Sequence, residues 1–192
     1  MKILLVAATK QEVNIDFFSS QEILITGVGM MNTTFSLTEE LLQNNYDLVV
    51  NMGVAGSFNS DIEVGDIVEI VEDVFSEIGF EDGDSFLEFS DFEMDNTFKV
   101  IGKTDLKKVK GITVNTVHGN VKSISEVVGR LNPDVETMEG AACFMVCNKF
   151  EISCIQIRSI SNKVEKRNKE NWDLPLAIKN LNTAVKQIIL DI

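Results

Sequence analysis

The chain is poor in basic residues. It has 17 lysines and arginines against 30 aspartates and glutamates, a formal net charge of −13, and no basic residue between Lys10 and Lys99. Such a surface repels the phosphates of nucleic acids and the head groups of anionic membranes. The composition therefore argues against a nucleic-acid or membrane partner and favours a small ligand that is uncharged or weakly anionic.

Histidine and arginine are scarce as well. His118 is the one histidine, and the arginines are Arg130, Arg158 and Arg167. A metal site built on several histidines and a Ser-His catalytic triad both need residues that this chain lacks. We expect neither a metal ion nor another cofactor.

The three cysteines, Cys143, Cys147 and Cys154, are odd in number and lie in apolar surroundings. This pattern is typical of reduced, buried thiols in a cytoplasmic protein. Cys143 and Cys147 share a helix face, which would also suit a metal, but no other soft ligand is near them in sequence. The N-terminus has no signal-peptide pattern, and no apolar run is long enough to cross a bilayer. We therefore predict a cytoplasmic protein with structural cysteines.

Apolar runs alternate with helical patterns along the 192 residues, of which 44% are hydrophobic. Near-continuous apolar runs typical of strands buried on both faces occupy residues 2–8, 22–26, 47–52 and 152–157. Helical spacing marks residues 32–44, 140–149 and 174–189, and further strands are predicted at 62–72 and 111–117. The pattern predicts one α/β domain over residues 1–192, a three-layer sandwich with a central mixed, largely parallel sheet.

An acidic stretch at residues 77–96 interrupts this alternation. It contains four phenylalanines: Phe80, Phe86, Phe89 and Phe92. We interpret it as a surface excursion whose aromatic rings pack either on the body of the domain or on a partner subunit.

Polar residues follow two of the predicted strands. Glu139 lies where the strand at 134–137 passes into an Ala-rich helix, and Ser161 and Asn162 end the apolar run at 152–160. Each alone is also typical of an ordinary helix start or loop. Because strands of an open α/β sheet direct their carboxyl ends to one edge, the two clusters together predict a site there.

Further candidates follow the first three strands. Glu12 comes just after the first strand, where a carboxylate can act as a general base on a water molecule. Gly27-Val-Gly29 follows the second strand, and Asn51-Met-Gly-Val-Ala-Gly-Ser57 follows the third. Such turns let backbone N–H groups approach a ligand, although each is also explained as a structural turn, and neither is a dinucleotide-binding fingerprint.

Taken together, these motifs resemble the nucleoside phosphorylase and nucleosidase superfamily, in particular its methylthioadenosine/S-adenosylhomocysteine nucleosidase branch. The resemblance spans most of the chain. It rests on Glu12, Asn51-Met-Gly-Val-Ala-Gly56, Gly65-Asp66-Ile-Val68, Met138-Glu139-Gly-Ala-Ala142 and Arg158-Ser-Ile-Ser-Asn162. Within the branch, Thr113-Val-Asn-Thr-Val-His-Gly119, Trp172, and Asn162 in place of the usual aspartate are most similar to the futalosine hydrolases.

The resemblance implies a nucleoside phosphorylase-like fold and a role for each matching position. Glu12 would activate the attacking water, Glu139 would bind the ribose hydroxyls, and Arg158 is expected beside Glu12. The implied catalytic residues are Glu12, Arg158, Ser161 and Asn162, and the implied substrate-binding residues are Ala55, Gly56, Asn115, His118, Gly119, Met138 and Glu139. For His118, a role as an ordinary loop residue fits the sequence equally well.

These roles imply hydrolysis of an N-glycosidic bond in a purine nucleoside. Phosphorylases of the superfamily hold phosphate with arginines from the N-terminal half, which this chain lacks. Asn162 cannot act as a general acid but can hydrogen bond to N7 and to the six-position, which fits hypoxanthine better than adenine. We therefore predict futalosine as the substrate, with Lys163 or Arg167 as the cation for its carboxylate.

Two alternatives stay open. The first is a methylthioadenosine/S-adenosylhomocysteine nucleosidase, and the second is a catalytically silent protein that binds a nucleoside. In either case the resemblance implies a homo-oligomer, a dimer or larger.

Overall fold

The computed structural model describes residues 1–83, 85–89, 91 and 93–192. Within these residues the strands are β1 (Ile3–Ala7), β2 (Glu22–Ile25), β3 (Leu48–Ser57), β4 (Ile67–Phe75), β5 (Phe80–Asp82), β6 (Ser85–Leu87), β7 (Thr97–Lys99), β8 (Lys107–Thr113), β9 (Val135–Thr137) and β10 (Ser153–Lys163). The α-helices are α1 (Met30–Gln43), α2 (Val121–Leu131), α3 (Gly140–Lys149) and α4 (Leu174–Asp191). Short 3-10 turns occur at Lys10–Glu12, Ile15–Phe18 and Lys169–Asn171.

The central sheet is mixed and largely parallel, which confirms the predicted fold class. Its strand order is β10-β4-β8-β9-β3-β1-β2, with β7 added beside β4. The pairings β10–β3, β1–β3, β1–β2, β4–β8 and β8–β9 are parallel, whereas β10–β4, β3–β9 and β4–β7 are antiparallel. Because β10 pairs with both β4 and β3, five strands close into a ring, a feature that the sequence pattern did not predict.

Helices cover the sheet on two faces. Leu37 and Leu41 of α1 join α3 and one set of strand residues in an apolar cluster. On the other face, Leu181 and Val185 of α4 pack with Leu5 and other strand residues in a second cluster. Strands buried on both faces need apolar residues at nearly every position, which explains their continuous apolar runs.

Several predicted boundaries differ from those observed. β4 begins at Ile67, although its strand was predicted from residue 62, and β8 occupies Lys107–Thr113 in place of the predicted 111–117. Residues 107–110 are three lysines and one valine, a composition that does not indicate the first half of a strand paired with β4 and, from Gly111, with β9. Helix α2 and strand β7 had no counterpart in the prediction.

The acidic stretch forms the two-stranded β5–β6 hairpin. The ring of Phe86 lies 4.3 Å from the guanidinium carbon of Arg130, and the rings of Phe80 and Phe89 are 5.3 Å apart. These contacts support packing on the body of the domain for Phe86. Phe92 lies outside the described residues.

The cysteines are buried free thiols, as predicted. Cys154 of β10 reaches Cys143 of α3 with a sulfur-to-sulfur distance of 3.8 Å, and the three Sγ atoms, with that of Cys147, lie within 4.8 Å of one another. The proximity of Cys154 to Cys143 and Cys147 was not predicted from the sequence. In the described part of the chain, no helix is long and apolar enough to cross a membrane.

Candidate active site

A cavity of about 270 Å³ opens at the edge of the sheet where β1, β3, β9 and β10 end. Eight of the predicted site residues line it, and its lining is drawn from seven segments of the chain. The lining residues are Ala8, Thr9, Gln11, Glu12, Val28, Val54, Ala55, Gly56, Val117, His118, Glu136, Thr137, Met138, Glu139, Ser161, Asn162, Trp172 and Leu174.

Glu12 is held by donors on two elements. Its Oε2 accepts hydrogen bonds from the Thr9 N–H at 2.9 Å and the Thr9 hydroxyl at 3.0 Å, and its Oε1 accepts from the Val54 N–H at 3.2 Å. Gly53 lies directly beside this carboxylate, because a Cβ atom at Gly53 would be 3.0 Å from Oε1. The 3-10 turn at Lys10–Glu12 thus delivers a carboxylate in a fixed orientation to the cavity.

Arg158 lies behind Glu12 and not in the cavity itself. It is 1% exposed and donates from Nη1 to the carbonyls of Asn51 and Ile157, at 3.1 and 3.0 Å, and from Nη2 to the Asn51 side chain. Among the described residues no ion pair joins it to Glu12. A Cβ atom at Gly53 would lie 3.0 Å from Glu12 Oε1 and 3.8 Å from the guanidinium carbon of Arg158, so Arg158 supplies buried positive charge close to Glu12.

Glu139 caps the amino end of α3 and faces the cavity from there. Its Oε1 accepts a 2.8 Å hydrogen bond from the N–H of Gly29, whose φ of +94° is a backbone conformation that favours glycine. Burial raises the pKa of Glu139, while the Gly29 hydrogen bond and the charge of Arg158 oppose that rise and Glu12 adds to it. Met138 precedes it in the cavity lining.

A β-bulge presents Ser161 and Asn162 together. In the parallel pairing of β10 with β3, Ile160 lies opposite Ala55 and Asn162 opposite Gly56, so Ser161 is the extra residue. A regular strand would send consecutive side chains to opposite faces, whereas the bulge lets both line the cavity. The Ser161 hydroxyl donates to Asn162 Oδ1 at 2.8 Å, and Asn162 Nδ2 donates to the Lys163 carbonyl at 2.9 Å.

Two buried acids near the site, Glu136 and Asp73, were not among the predicted site residues. Glu136 of β9 is 4% exposed and lines the cavity, where it accepts hydrogen bonds from the backbone and ring of His118. The feature of the sequence that could have indicated Glu136 is its place between Val135 and Thr137 in a short strand that ends next to Met138 and Glu139. His118 itself is half-buried and lines the cavity through this pair.

Asp73 lies beneath the first turn of α3 and outside the cavity. It accepts hydrogen bonds from the Thr113 hydroxyl at 2.9 Å and the Gln156 amide at 3.0 Å, and Thr113 in turn accepts from the Ala141 N–H. Burial raises the pKa of Asp73 to about 6. Any side chain at Gly140 would overlap Asp73 and Gln156, which explains a glycine directly after Glu139.

Other predicted residues lie away from the cavity lining. Asn115 is exposed and donates through its backbone and side chain to Glu77, at 2.9 and 2.8 Å. The carbonyl of Gly119 accepts from the Arg167 N–H. The Lys163 ammonium donates to backbone carbonyls in the β3–β4 connection, at 2.6 to 3.2 Å, so it is engaged elsewhere.

The profile of the Phosphorylase superfamily matches residues 21–190. The chain belongs to this superfamily. A futalosine hydrolase of Thermus thermophilus is 24% identical over 181 residues, which cover 88% of this chain and 80% of the relative. A 5'-methylthioadenosine/S-adenosylhomocysteine nucleosidase of Shewanella loihica is 29% identical over 202 residues, which cover 95% and 88%. The predicted membership and the predicted enzyme class, a hydrolase of N-glycosidic bonds, are thereby confirmed.

Solved structures agree on the fold of this superfamily member. The futalosine hydrolase of Helicobacter pylori aligns with a TM-score of 0.84 at 18% identity, covering 100% of this chain and 98% of the other. A 5'-methylthioadenosine/S-adenosylhomocysteine nucleosidase of the same organism, complexed with a pyrrolidine-based ligand, gives 0.87 at 19% identity, covering 100% and 99%. At such identities the likeness supports the architecture alone.

Proposed function

We propose that this protein hydrolyses the N-glycosidic bond of futalosine, releasing hypoxanthine. The observation that carries the proposal is the gathering of Glu12, Glu139 and Asn162 around one cavity, together with an amide where an acid would serve adenine-specific relatives. The relatives named futalosine hydrolase, from Thermus thermophilus and Acidothermus cellulolyticus, are consistent with this substrate.

The reaction begins with a water molecule held by Glu12. As the bond from the anomeric carbon to the base breaks, its electron pair leaves with the purine and the sugar gains oxocarbenium character. Water then adds at that carbon, and Glu12 accepts the proton that water loses. Three fixed donors orient the carboxylate before substrate binds, so little reorganisation accompanies proton transfer.

Glu139 is proposed to hold the ribose. A carboxylate accepts hydrogen bonds from two hydroxyl groups, and the Gly29 N–H orients Oε1 of Glu139 without using its whole capacity to accept. Met138 would pack against the sugar face beside it. Arg158 and Ser161 would act by position, the first through buried charge behind Glu12 and the second by fixing the Asn162 side chain.

Asn162 is proposed to stabilise the departing base. Its Oδ1 is occupied by Ser161, and one hydrogen of its Nδ2 by the Lys163 carbonyl, so the second Nδ2 hydrogen can be donated to N7 or O6. Hypoxanthine spreads its negative charge onto O6 when it leaves, and a donor there strengthens as that charge develops. Removing one such donor typically costs on the order of 3 kcal/mol in the transition state.

Hydrolysis is favoured over phosphorolysis by the charge of the cavity. None of the described residues that line it is a lysine or an arginine. Phosphate recognition relies on such cations or on clusters of backbone donors. Arg167 lies at the rim, with its guanidinium carbon 5.2 Å from the ring centre of Trp172, and we propose it as the partner of the substrate carboxylate.

A 5'-methylthioadenosine/S-adenosylhomocysteine nucleosidase is the second candidate. Relatives of that name match this chain at 26 to 29% identity, slightly above the futalosine hydrolases. A silent nucleoside-binding protein is disfavoured, because such a protein has no use for an oriented carboxylate at Glu12 together with the ribose-binding Glu139.

A second copy of the chain is the partner that we propose for α1. Its outer face carries Met31, Phe35 and Leu42, which are 79%, 70% and 73% exposed, and together with Phe75 and Met145 they border an apolar groove of about 900 Å³. Exposed apolar surface of this kind is typical of an interface. Sedimentation equilibrium should give twice the monomer mass of 21.4 kDa, and a monomer at micromolar concentration would exclude it.

The proposed activity is tested by measuring free-base release from futalosine, 5'-methylthioadenosine, S-adenosylhomocysteine and inosine, each with and without phosphate. Hypoxanthine released from futalosine independently of phosphate is the expected result. Adenine release would favour the second candidate, and binding without release would favour the silent protein.

The base contact has its own test in Asn162→Asp. A carboxyl group at this position can give a proton to N7, so adenine nucleosides should gain about tenfold in kcat/KM relative to hypoxanthine nucleosides. Ser161→Ala serves as the matched control, because it loosens the same side chain without adding an acid. An unchanged ratio in Asn162→Asp would remove Asn162 from base recognition.

A further inference from the structure

Glu136 is a buried carboxylate in the cavity that the proposed mechanism does not use. Its Oε1 accepts from the His118 N–H at 3.1 Å, and its Oε2 accepts from His118 Nδ1 at 2.6 Å. Contact with an acceptor requires the imidazole proton on Nδ1. The ring of His118 packs edge-on against Phe58, with ring centres 6.0 Å apart, so the donor is itself held in place.

Glu136 and Asn162 flank the same gap in the cavity wall. The two meet at Gly56, where a Cβ atom would lie 3.5 Å from Glu136 Cγ and 3.2 Å from Asn162 Nδ2. Glu12, by contrast, lies beside Gly53, and Glu139 contacts Gly29. A purine that reaches Asn162 is therefore adjacent to Glu136, at the end of the cavity away from the water and the ribose.

The two purines differ in hydrogen-bonding pattern at this end. Hypoxanthine presents an N1–H donor beside its O6 acceptor, whereas adenine presents an N1 acceptor beside an amino donor. The amide oxygen of Asn162 is occupied by Ser161, so this residue offers the base a donor, and N7 accepts such a bond in both purines. An ionised carboxylate only accepts, so it matches N1–H and repels the lone pair of adenine N1. Asn162 alone would leave the choice between the two bases open.

Building on the proposed function, we infer that Glu136 is the specificity-determining residue for a 6-oxopurine. It accepts a hydrogen bond from N1–H, and His118 is the positioning residue that holds its carboxylate. Oε1 of Glu136 accepts one bond, from the His118 N–H, and keeps a second lone-pair direction for the base, whereas Oε2 accepts from His118 Nδ1 and, at 3.4 Å, from the same N–H.

The test compares futalosine with its 6-amino counterpart, which differ only in the base. In Glu136→Gln the new amide can donate to adenine N1, so the ratio of kcat/KM for the 6-oxo over the 6-amino substrate should fall by about 100-fold. A ratio within about threefold of the wild-type value would overturn the assignment, since polar recognition of this kind discriminates far more strongly.

Glu69→Gln is the matched control. Glu69 is also a buried strand glutamate, 1% exposed, that accepts from the backbone of Lys103 and Thr104, and it does not line the cavity. Its substitution should lower stability and leave the substrate ratio unchanged. This control separates loss of a buried carboxylate from loss of base recognition.

A second pair of variants keeps the test decisive if Glu136→Gln does not fold. His118→Asn retains a donor near the position of Nδ1 and should keep a ratio close to the wild-type value. His118→Phe keeps the ring against Phe58 but removes the donor, so the ratio should fall at least tenfold below that of His118→Asn. Equal ratios in the two variants would overturn the positioning role.

Failure of this inference is distinguishable from failure of the proposed function. Wild-type protein that releases no base from any nucleoside refutes the function, whereas cleavage with an unmoved substrate ratio refutes only the role of Glu136. Calorimetric binding of free hypoxanthine and free adenine to wild type and Glu136→Gln gives the same comparison without turnover. Equal preference in the two proteins would again overturn the assignment.

Discussion

The two ends of the cavity hold their polar groups by different means. At the end that we propose for hydrolysis, called the hydrolytic end, Glu12 accepts from the N–H of Val54 and Glu139 from the N–H of Gly29. At the other end, which we propose for the base and call the base end, Glu136 accepts from both the backbone N–H and the ring of His118. Asn162 accepts there from the hydroxyl of Ser161. Most of the donors that hold the carboxylates at the hydrolytic end are main-chain N–H groups, whereas side-chain donors hold both polar groups at the base end.

This difference separates what the fold supplies from what substitution can change. Backbone N–H groups are present whatever the residue, so a fold that is kept also keeps the orientation of the hydrolytic carboxylates. Side-chain donors disappear with a single substitution. We therefore expect the hydrolytic chemistry to be robust and the choice of base to be adjustable, which is in line with relatives that bear the names of nucleosidases with different substrates.

The largest expected effect is that of Glu12→Gln at the hydrolytic end. The amide keeps the volume of the side chain but cannot take a proton from water, so kcat should fall by about 10³-fold with KM changed little. Steady-state kinetics with futalosine measure both constants. Glu63→Gln, at an exposed position outside the cavity, is the control. Turnover near the wild-type rate in Glu12→Gln would remove this end from the chemistry.

Glu139→Gln should have the next largest effect. The variant loses a charged acceptor for the ribose hydroxyls and for the Gly29 N–H, each a stronger hydrogen bond than a neutral one. We expect kcat/KM to fall by about 100-fold, with a rise in KM that Glu12→Gln does not share. The fall should be equal for 6-oxo and 6-amino substrates. Unchanged kcat and KM would show that Glu139 does not contact the sugar.

Asp73→Asn contrasts a buried carboxyl outside the cavity with those inside it. Its folded pKa of about 6 lies above the ordinary value of 3.8, so folded protein binds the proton more tightly than unfolded protein. This contribution to stability is fully present below about pH 4 and is lost as pH rises through about 6. Over that window the stability of the variant should gain on wild type by about 3 kcal/mol.

Chemical denaturation of both proteins at several values between pH 4 and 7 measures this gain. The substrate ratio should stay at its wild-type value, because Asp73 does not line the cavity. Parallel stability profiles for the two proteins would mean that Asp73 does not change its protonation on folding in this range.

The smallest effects are expected from alanine at two glycines of β3, one at each end. Gly53→Ala brings a Cβ to 3.0 Å from Glu12 Oε1, and Gly56→Ala brings one to 3.2 Å from Asn162 Nδ2 and 2.8 Å from a Val164 methyl carbon. Gly53→Ala should lower kcat about tenfold for all substrates, because a small displacement of a catalytic group is costly. Gly56→Ala should instead change the substrate ratio. The same response from both variants would abolish the distinction between the two ends.

Much of the fold was predictable because parallel strands buried on both faces need unbroken apolar runs. β1, β3 and β10 follow from those runs, and α1, α3 and α4 follow from helical spacing. β2 has an apolar run as well, although it lies at the sheet edge and is only partly buried. The strands β8 and β9, which complete the ring, were harder to predict. β8 begins with lysines and β9 has only three residues, so neither has the periodicity from which strands are recognised, and their place depends on pairing that no local pattern encodes.

The site residues likewise include some that the sequence pattern predicted and some that it did not. The sequence pattern placed Glu12, Met138, Glu139, Ser161 and Asn162 at or after the ends of predicted strands, and the structure gathers them at one edge of the sheet, with Ser161 and Asn162 still inside β10. Glu136 was not predicted as a site residue because an acid within a strand usually faces solvent. Its burial depends on contact with His118, which lies in a loop 18 residues earlier in the chain. Asn115 bonds to Glu77, which lies 38 residues away along the chain, and no local pattern predicts that contact.

The bulge at Ser161 has a consequence for chain length. Opposite Ala55 and Gly56, β10 has one residue more than the ladder needs, and that surplus residue is what allows Ser161 and Asn162 to face the same cavity. Removal of Ser161 would leave Ile160 opposite Ala55 and Asn162 opposite Gly56 in a regular ladder, and it would take away the hydroxyl that holds the Asn162 side chain. We therefore expect a change of chain length in this strand to act on the proposed base contact of Asn162 through the ladder that positions it.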